Sequence, residues 1–144
     1  MSVKVEVSEV VNRPVVDVFR FYAYDHVRNH PRWDPNMELK QVSIGPIGVG
    51  TVIHRRNTHF GTPVEGEMKV VEFKPNKVFA VLIHDGPVET HGRVTFEPTQ
   101  PDKTTITISA EFPSIDESSM DTNRLTTLMK RTASNIKRLI ESEV

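Results

Sequence analysis

The first residues of the chain alternate between apolar and polar side chains. Valine stands at every second position from Val3 to Val7, with a charged or hydroxyl side chain between each pair. This period of two is typical of a strand with one buried face. The pattern therefore predicts that the chain opens with a half-buried strand over Val3–Val11.

A helical period follows this strand. Pro14 suits the first turn of a helix, and the apolar positions after it recur at helical spacing, which predicts a helix to about Tyr24. Asp25 can cap a second short helical segment. We expect that segment to end near His30, because a residue that precedes proline is pushed out of the α region. Pro31–Pro35 is then expected to form a rigid corner. The apolar positions of the first helix are Val15, Val18, Phe19 and Tyr22.

Six further segments are rich in strand-forming residues and are separated by turns that contain glycine, proline or asparagine. The turns have the length of hairpin connections, whereas a parallel sheet would need helical crossovers between its strands. The sheet is therefore predicted to be antiparallel, with about seven strands in all. The segments are Leu39–Ile44, Thr51–Phe60, Val64–Phe73, Val78–His84, Val88–Phe96 and Thr104–Phe112.

The last part of the chain has the pattern of a long amphipathic helix. Ser118–Asp121 has the form of a capping box, and a helix is predicted from there nearly to the end of the chain. The apolar residues that fall on one face of it are Leu125, Leu128, Met129, Ile136, Leu139 and Ile140. The elements together predict an α+β fold in a single domain over residues 1–144.

Composition narrows the possible functions. The 144 residues include 18 Lys+Arg and 19 Asp+Glu, and this balance lacks the basic surface expected of a nucleic-acid binder. The absence of cysteine excludes disulfides and thiolate metal sites. No segment approaches the ~20 apolar residues of a membrane span, and the first residues do not resemble a signal peptide. We expect a cytoplasmic protein, either a monomer or a homodimer.

The order of the elements, together with several short sequence blocks, resembles the helix-grip fold of the START/Bet v 1-like (SRPBCC) superfamily, and in particular its polyketide cyclase/dehydrase branch. The resemblance implies a curved antiparallel sheet wrapped around the long C-terminal helix, with two short helices after the first strand. It also implies a cavity between sheet and helix, where members hold lipids, hormones or polyketides. The blocks are Pro14–Phe21, His30–Pro35, Gly48–Thr51, Glu72–Pro75 and Phe96–Pro98.

The strand after Gly50 carries the polar residues of greatest interest. Alternation places Thr51, Ile53, Arg55, Asn57 and His59 on one face. The resemblance implies that this face lines the cavity, whereas a bulge would reverse the faces and expose Arg55. Because a buried arginine is costly unless it is paired, an inward Arg55 requires a carboxylate or a ligand with an anionic or carbonyl group. The candidate carboxylates are Glu65, Glu67 and Asp85.

Three functions are compatible with this pattern. The first is binding of a small hydrophobic molecule without a cofactor, with Arg55, Asn57 and His59 among the contacts. The second is a polyketide cyclase or dehydratase, in which His59 removes a proton next to a carbonyl and Arg55 stabilises the enolate. The third is a protein-interaction module, which would show a filled core. The other candidate ligand contacts are Trp33, Leu125, Met129 and Ile136, although Trp33 is equally suited to packing.

The remaining histidines suggest weaker sites. His26 and His30 are four residues apart, a spacing that can place two imidazoles toward a metal. They lack a third ligand nearby, so we expect no metal and interpret them as surface or helix-end residues. His84 and His91 stand beside acidic residues across a predicted hairpin, where an acid-assisted histidine and an ordinary polar surface are both compatible with the sequence.

Overall fold

The computed structural model describes residues 2–59, 61–113, 115 and 120–144. Within these residues, seven strands form one sheet in the order β1-β7-β6-β5-β4-β3-β2, and every neighbouring pair is antiparallel. The predicted sheet is therefore confirmed. The strands are β1 (Val3–Val11), β2 (Met37–Gln41), β3 (Val52–Asn57), β4 (Val64–Lys74), β5 (Val78–Asp85), β6 (Val88–Gln100) and β7 (Lys103–Phe112).

The helices occupy the predicted places in the chain. α1 (Val15–Phe19) continues as a turn of π-helix over Arg20–Tyr24, α2 covers His26–Trp33, and α3 covers Thr122–Glu143. Within the described ranges, none of the helices combines the length and the apolar character that crossing a membrane requires.

Three local predictions differ from the structure, and one of them concerns β2, which covers Met37–Gln41 rather than Leu39–Ile44. α2 does not end before Pro31 but continues to Trp33, with the proline inside it. A helix of this length loses few backbone hydrogen bonds to a proline, and the packing of Trp33 outweighs that loss. β3 ends at Asn57, and the predicted end of that strand, Phe60, lies outside the described residues.

The start of α3 is fixed by one side chain. Asp121 is the N-cap residue, and its Oδ1 accepts a hydrogen bond of 3.0 Å from the backbone N–H of Arg124. Such a cap satisfies one of the N–H groups that lack a partner at the beginning of a helix. The predicted capping box also included Ser118 and Ser119, which lie outside the described residues.

One half of the concave face of the sheet is filled by aromatic side chains. Phe19 packs edge-on against Phe96 with ring centroids 5.0 Å apart, and Tyr22 stacks on Trp33 at the same centroid distance. The C-terminal half of α3 covers this filled half with buried apolar residues. The residues of α3 that are buried there are Ala133, Ile136 and Ile140.

The other half of the concave face is less completely covered. Its inward-facing side chains are only half-buried, and so are Leu125 and Met129 in the N-terminal half of α3. Leu128, predicted on the apolar face, is 40% exposed. We call this part of the sheet the open half, and its residues are Leu39, Ile83, Thr90, Gly92, Ile108, Ala110 and Phe112. The molecule thus has a packed end and an accessible end.

Candidate functional site

Arg55 points from β3 toward the concave side of the sheet. Arg55 and Asn57 are each 7% exposed, so these two residues of the predicted polar face lie inside. His59, which was predicted with them, lies beyond the end of β3 and is exposed. The strand has no bulge between Val52 and Asn57 that would reverse the faces. Arg55 Nε lies 2.9 Å from Asp85 Oδ1 at the end of β5. Asp85 is therefore the carboxylate that pairs with Arg55, and Glu65 and Glu67 of β4 are not.

Gly66 makes this pairing possible. It lies between the two charged residues in the sheet, paired with Arg55 on one side and with Asp85 on the other. A Cβ atom at Gly66 would stand 2.3 Å from Asp85 Oδ1, which is well inside van der Waals contact. The missing side chain leaves the space in which Arg55 reaches across β4 to Asp85.

The ion pair is close but poorly aligned for hydrogen bonding. Although Arg55 Nε and Asp85 Oδ1 are near each other, neither atom has a hydrogen-bond partner among the described residues. The other oxygen of Asp85 accepts a long hydrogen bond of 3.4 Å from Asn57 Nδ2. Because buried polar atoms in folded proteins are nearly always hydrogen-bonded, this pair retains capacity for an additional partner.

His26 begins α2 and His30 lies in its last turn, so both are helix-end residues as predicted, but neither is a surface residue. His26 is 2% exposed, and its Nδ1 is 2.8 Å from the backbone oxygen of Tyr22. The Nδ1 of His30 is 3.0 Å from the Nε2 of His26. A carbonyl oxygen only accepts, so His26 Nδ1 carries the proton and its Nε2 accepts from His30. The Nε2 of His30 is then an unprotonated acceptor.

Burial keeps both histidines neutral. The pKa of His26 is lowered from 6.5 to about 4, mainly because the side chain is removed from water. The hydrogen bond to Tyr22 acts in the opposite direction, and the charge of Arg55 makes a smaller contribution that also lowers the pKa. Burial also holds the pKa of His30 well below its usual range, and the charge of Arg55 acts in the same direction. The tautomers deduced from the hydrogen bonds are therefore those of neutral imidazoles.

Asp34 connects α2 to the turn after β3. Its Oδ2 accepts a hydrogen bond of 2.8 Å from His59 Nε2, and its Oδ1 accepts one of 3.2 Å from the backbone N–H of Asn36. The same Oδ2 lies 4.0 Å from His30 Nε2. A carboxylate that holds one imidazole nitrogen fixes the ring and leaves the other nitrogen of His59 as an acceptor or a base. The predicted catalytic role of His59 stays a prediction.

These side chains form one group, which we call the polar cluster. It extends from the closed interior at His26 to His59, whose side chain is 35% exposed. Its members are His26, His30, Asp34, Arg55, Asn57, His59 and Asp85. Within the described ranges, no group of three potential ligands is arranged to hold a metal ion.

The free energy of unfolding should decrease in mild acid because of His26. Between pH 6.5 and about 4 the unfolded chain binds a proton on this residue that the folded protein does not bind. Stability from this group is therefore complete above 6.5 and falls as the pH is lowered, by about 2 kcal/mol near pH 5. Urea unfolding at pH 7.5 and near pH 5 measures this difference in the free energy of unfolding.

Two variants isolate this contribution. His26→Gln should reduce the loss in the free energy of unfolding between pH 7.5 and pH 5 by about 2 kcal/mol, because glutamine does not titrate in this range. His84→Gln, which removes a histidine whose side chain is 54% exposed, should leave the pH dependence nearly unchanged. If the free energy of unfolding falls equally with pH in the wild type and in His26→Gln, the assignment of a buried neutral His26 is contradicted.

The other predicted site residues lie in different surroundings. Trp33 is 3% exposed and is stacked between Tyr22 and His30, which is a packing position. Ile136 is buried in the core. Leu125 and Met129 face the open half and are half-buried. Contact of any of these residues with a ligand stays a prediction.

The hairpin histidines are on the outer surface. His84 and His91 both approach Glu89, at 3.1 and 3.2 Å, and their side chains are 54% and 48% exposed. The pairing of these histidines with an acidic residue, which the sequence suggested, is therefore present. It lies on the convex face of the sheet, whereas Arg55 points to the concave face. It has the character of an ordinary polar surface.

Two open depressions are found on the described surface, and neither contains a residue of the polar cluster. Both are open to solvent. One is lined by Val3–Glu6, Thr122 and Thr126. The other is lined by Val16, Arg20, Tyr24, Asp25, Pro75 and Asn76.

Several parts of the polar cluster were not recognised in the sequence. Gly66 has no motif around it, and its role follows only from the register of the strands on either side. Asp34 had a signal, since His26, His30 and Asp34 recur every four residues and therefore share one helical face if the helix continues past Pro31. The expectation that proline ends the helix concealed this spacing.

Comparison with known proteins supports the fold. No family model matches the chain, and no curated protein matches it in sequence. The structure of Ara h 8.0201 is similar with a TM-score of 0.77 at 14% identity, covering 99% of this chain and 100% of that one. Norcoclaurine synthase from Thalictrum flavum, in complex with dopamine and hydroxybenzaldehyde, is similar with a TM-score of 0.73 at 19% identity, covering 100% and 89%.

A third similar structure is longer than this chain. DynU16, from the dynemicin biosynthetic locus, has a TM-score of 0.70 at 19% identity; the match covers 96% of this chain and 47% of DynU16. At such identities the similarity demonstrates a shared fold. What each protein binds or catalyses is a property of that protein.

Proposed function

Because the chain has the START/Bet v 1-like helix-grip fold, we propose that it binds a small, mostly apolar molecule between the open half of the sheet and the N-terminal half of α3. Arg55 holds a carbonyl or hydroxyl oxygen of that molecule. The observation that carries this proposal is a buried guanidinium whose Nε, like the Asp85 oxygen facing it, has no hydrogen-bond partner among the described residues.

The surroundings of Arg55 suit a ligand that is apolar over most of its length. Ile83 on β5 and Thr90 on β6 face each other on the open half and are half-buried. Ligand sites are commonly apolar concavities with a few fixed polar groups that orient the ligand. The open half and Arg55 supply these two components.

Asp85 determines what kind of oxygen Arg55 can hold. It already neutralises the guanidinium, so a carboxylate ligand would have to compete with a carboxylate that is part of the fold. A carbonyl or hydroxyl oxygen needs only a hydrogen bond and no compensating charge. A neutral oxygen is therefore the better partner. Of the two ligand groups predicted from the sequence, anionic and carbonyl, this favours the carbonyl group.

The only tryptophan of the chain provides a direct measurement. Trp33 stacks against His30 with ring centroids 5.4 Å apart, so its fluorescence should respond when a molecule enters the polar cluster. We expect members of a panel of fatty acids, sterols and aromatic polyketides to raise the melting temperature and to change this fluorescence saturably. If no compound in the panel changes the melting temperature or the fluorescence, ligand binding by this protein is contradicted.

Arg55→Met tests the anchor. Loss of a hydrogen bond to a charged group should weaken binding of a carbonyl-bearing ligand about tenfold or more. Arg56→Met is the matched control, because Arg56 is the next residue of β3 but points outward to Glu38. Arg55→Met/Asp85→Leu repeats the test without an unpaired carboxylate. Wild-type affinity in the double variant would overturn the role of Arg55.

A further inference from the structure

His30 and Asp34 present two hydrogen-bond acceptors to the same space. His30 Nε2 has no proton, because His30 donates through Nδ1 to His26. Asp34 Oδ2 is a carboxylate oxygen, and it lies 4.0 Å from that nitrogen. This distance is too long for a direct hydrogen bond. A lone pair and a carboxylate oxygen therefore face each other without a proton between them.

The geometry defines the group that would satisfy both acceptors. An atom that donates to both at about 2.8–2.9 Å sees them at an angle of about 90°. This is near the angle between two hydrogens on one tetrahedral nitrogen or oxygen. A hydroxyl or a tertiary ammonium has a single hydrogen and can satisfy only one acceptor, whereas a primary amine or a water molecule can satisfy both.

The amine is favoured over an uncharged donor by its hydrogen bond to Asp34, because a hydrogen bond between an ammonium and a carboxylate is charge-assisted. The charge of Arg55 opposes a cation beside His30, and its ion pair with Asp85 reduces that effect. The side chains of His30 and Asp34 are 16% and 14% exposed, so both acceptors can be reached but are largely withdrawn from water. A charge-assisted hydrogen bond is strongest in such surroundings.

We propose that His30 Nε2 and Asp34 Oδ2 together bind the protonated primary amine of the ligand. This rests on the proposed function and specifies its ligand class: an apolar or aromatic molecule with a primary amine, whose more distant oxygen reaches Arg55. A water molecule can make the same two hydrogen bonds when no amine is bound. The ligand displaces it without loss because the amine reproduces both of its hydrogen bonds.

A matched set of compounds tests the ligand class. The probes are 4-phenylbutylamine, its N,N-dimethyl derivative, 4-phenylbutan-1-ol and 4-phenylbutyrate, and the readout is titration of Trp33 fluorescence. We expect the primary amine to bind at least tenfold more tightly than the tertiary amine and the alcohol, and the carboxylate to bind least. The tertiary amine has the same charge, so it separates charge from the number of hydrogens.

Asp34→Asn tests the site. The asparagine oxygen can still accept from His59, but the side chain is uncharged, so the charge-assisted hydrogen bond to the ligand amine is lost. We expect the primary amine to lose at least tenfold in affinity and the alcohol to be unaffected. Asp102→Asn removes the same charge from an exposed position in the β6–β7 turn and should change neither.

The outcomes separate this inference from the proposed function. If the alcohol or the carboxylate binds as tightly as the primary amine, the acceptor pair holds only water, and the inference is overturned while ligand binding stands. Equal affinity of the primary and tertiary amines means that charge alone attracts them, which also overturns it. If none of the four compounds binds and the wider panel also fails, the proposed function itself is lost.

Discussion

Gly66→Ala is expected to destabilise the protein by about 3 kcal/mol and to lower its melting temperature by about 10 °C. The added Cβ would lie 2.2 Å from the backbone oxygen of His84 and 2.3 Å from Asp85 Oδ1. The first of these atoms belongs to the backbone, so the contact cannot be relieved by rotating a side chain. Either β4 and β5 separate locally or Asp85 moves away from Arg55. Urea unfolding and thermal denaturation measure the loss.

Gly48→Ala is the matched control for this experiment. It makes the same chemical change at a position where a Cβ meets nothing within 4 Å and where φ is not positive. Alanine there should leave stability unchanged or raise it by about 0.5 kcal/mol, because it restricts the unfolded chain. If Gly66→Ala costs no more than Gly48→Ala, the strands are not as close at Gly66 as the register requires.

The effect of Gly66→Ala should extend to the polar cluster. Displacement of Asp85 leaves Arg55 without its countercharge and removes the acceptor of Asn57 Nδ2. A glycine in the middle of a strand normally weakens it. Here a glycine is needed because the backbone of His84 and the side chain of Asp85 come too close to leave space for a Cβ.

The fold was predictable because it depends on the regular spacing of apolar residues along the chain. The alternation in β1 and the helical spacing in α3 each repeat over many residues, so one exception does not change the prediction. Alternation placed Arg55 and Asn57 on one face, and the resemblance to the helix-grip fold implied that this face is the inward one. The structure places both residues inside, since β3 has no bulge. Asp85 was among its candidate partners, but choosing it required the register of β4 against β5, which depends on contacts across the sheet.

The histidines show why the rest was not predictable. A local rule placed the end of a helix before Pro31, and the structure overrides it by packing Trp33 against Tyr22. Once α2 continues, His30 and Asp34 come onto the same helical face as His26. The chemistry of the polar cluster therefore depends on a tertiary contact, and short-range sequence preferences do not contain that contact.

Asp85→Ala is expected to cost about 3–5 kcal/mol, the second large effect, because it leaves the buried Arg55 guanidinium without a countercharge. The two side chains are only 8% and 16% exposed, so water cannot replace the lost partner. Urea unfolding measures the difference. The control is Glu38→Ala, which breaks the pair of Glu38 on β2 with Arg56 on the opposite face of β3.

The control pair has comparable chemistry in a different environment. Its side chains are 44% and 69% exposed, and such surface pairs contribute about 0–1 kcal/mol. We therefore expect Glu38→Ala to be nearly neutral. Similar losses in Asp85→Ala and Glu38→Ala would show that Arg55 is solvated in the folded protein, and the interior position assigned to it would be wrong.

Replacing both partners separates stability from function. Arg55→Met/Asp85→Leu removes two charges together, and buried ion pairs replaced by apolar residues are often neutral or stabilised by about 1–4 kcal/mol. We expect this double variant to be at least as stable as the wild type and yet to lose the carbonyl-bearing ligand. A double variant as unstable as Asp85→Ala would mean that the pair itself maintains the fold. The expected result would instead show that the fold can do without the pair, and that the charged residues are present for what the open half binds.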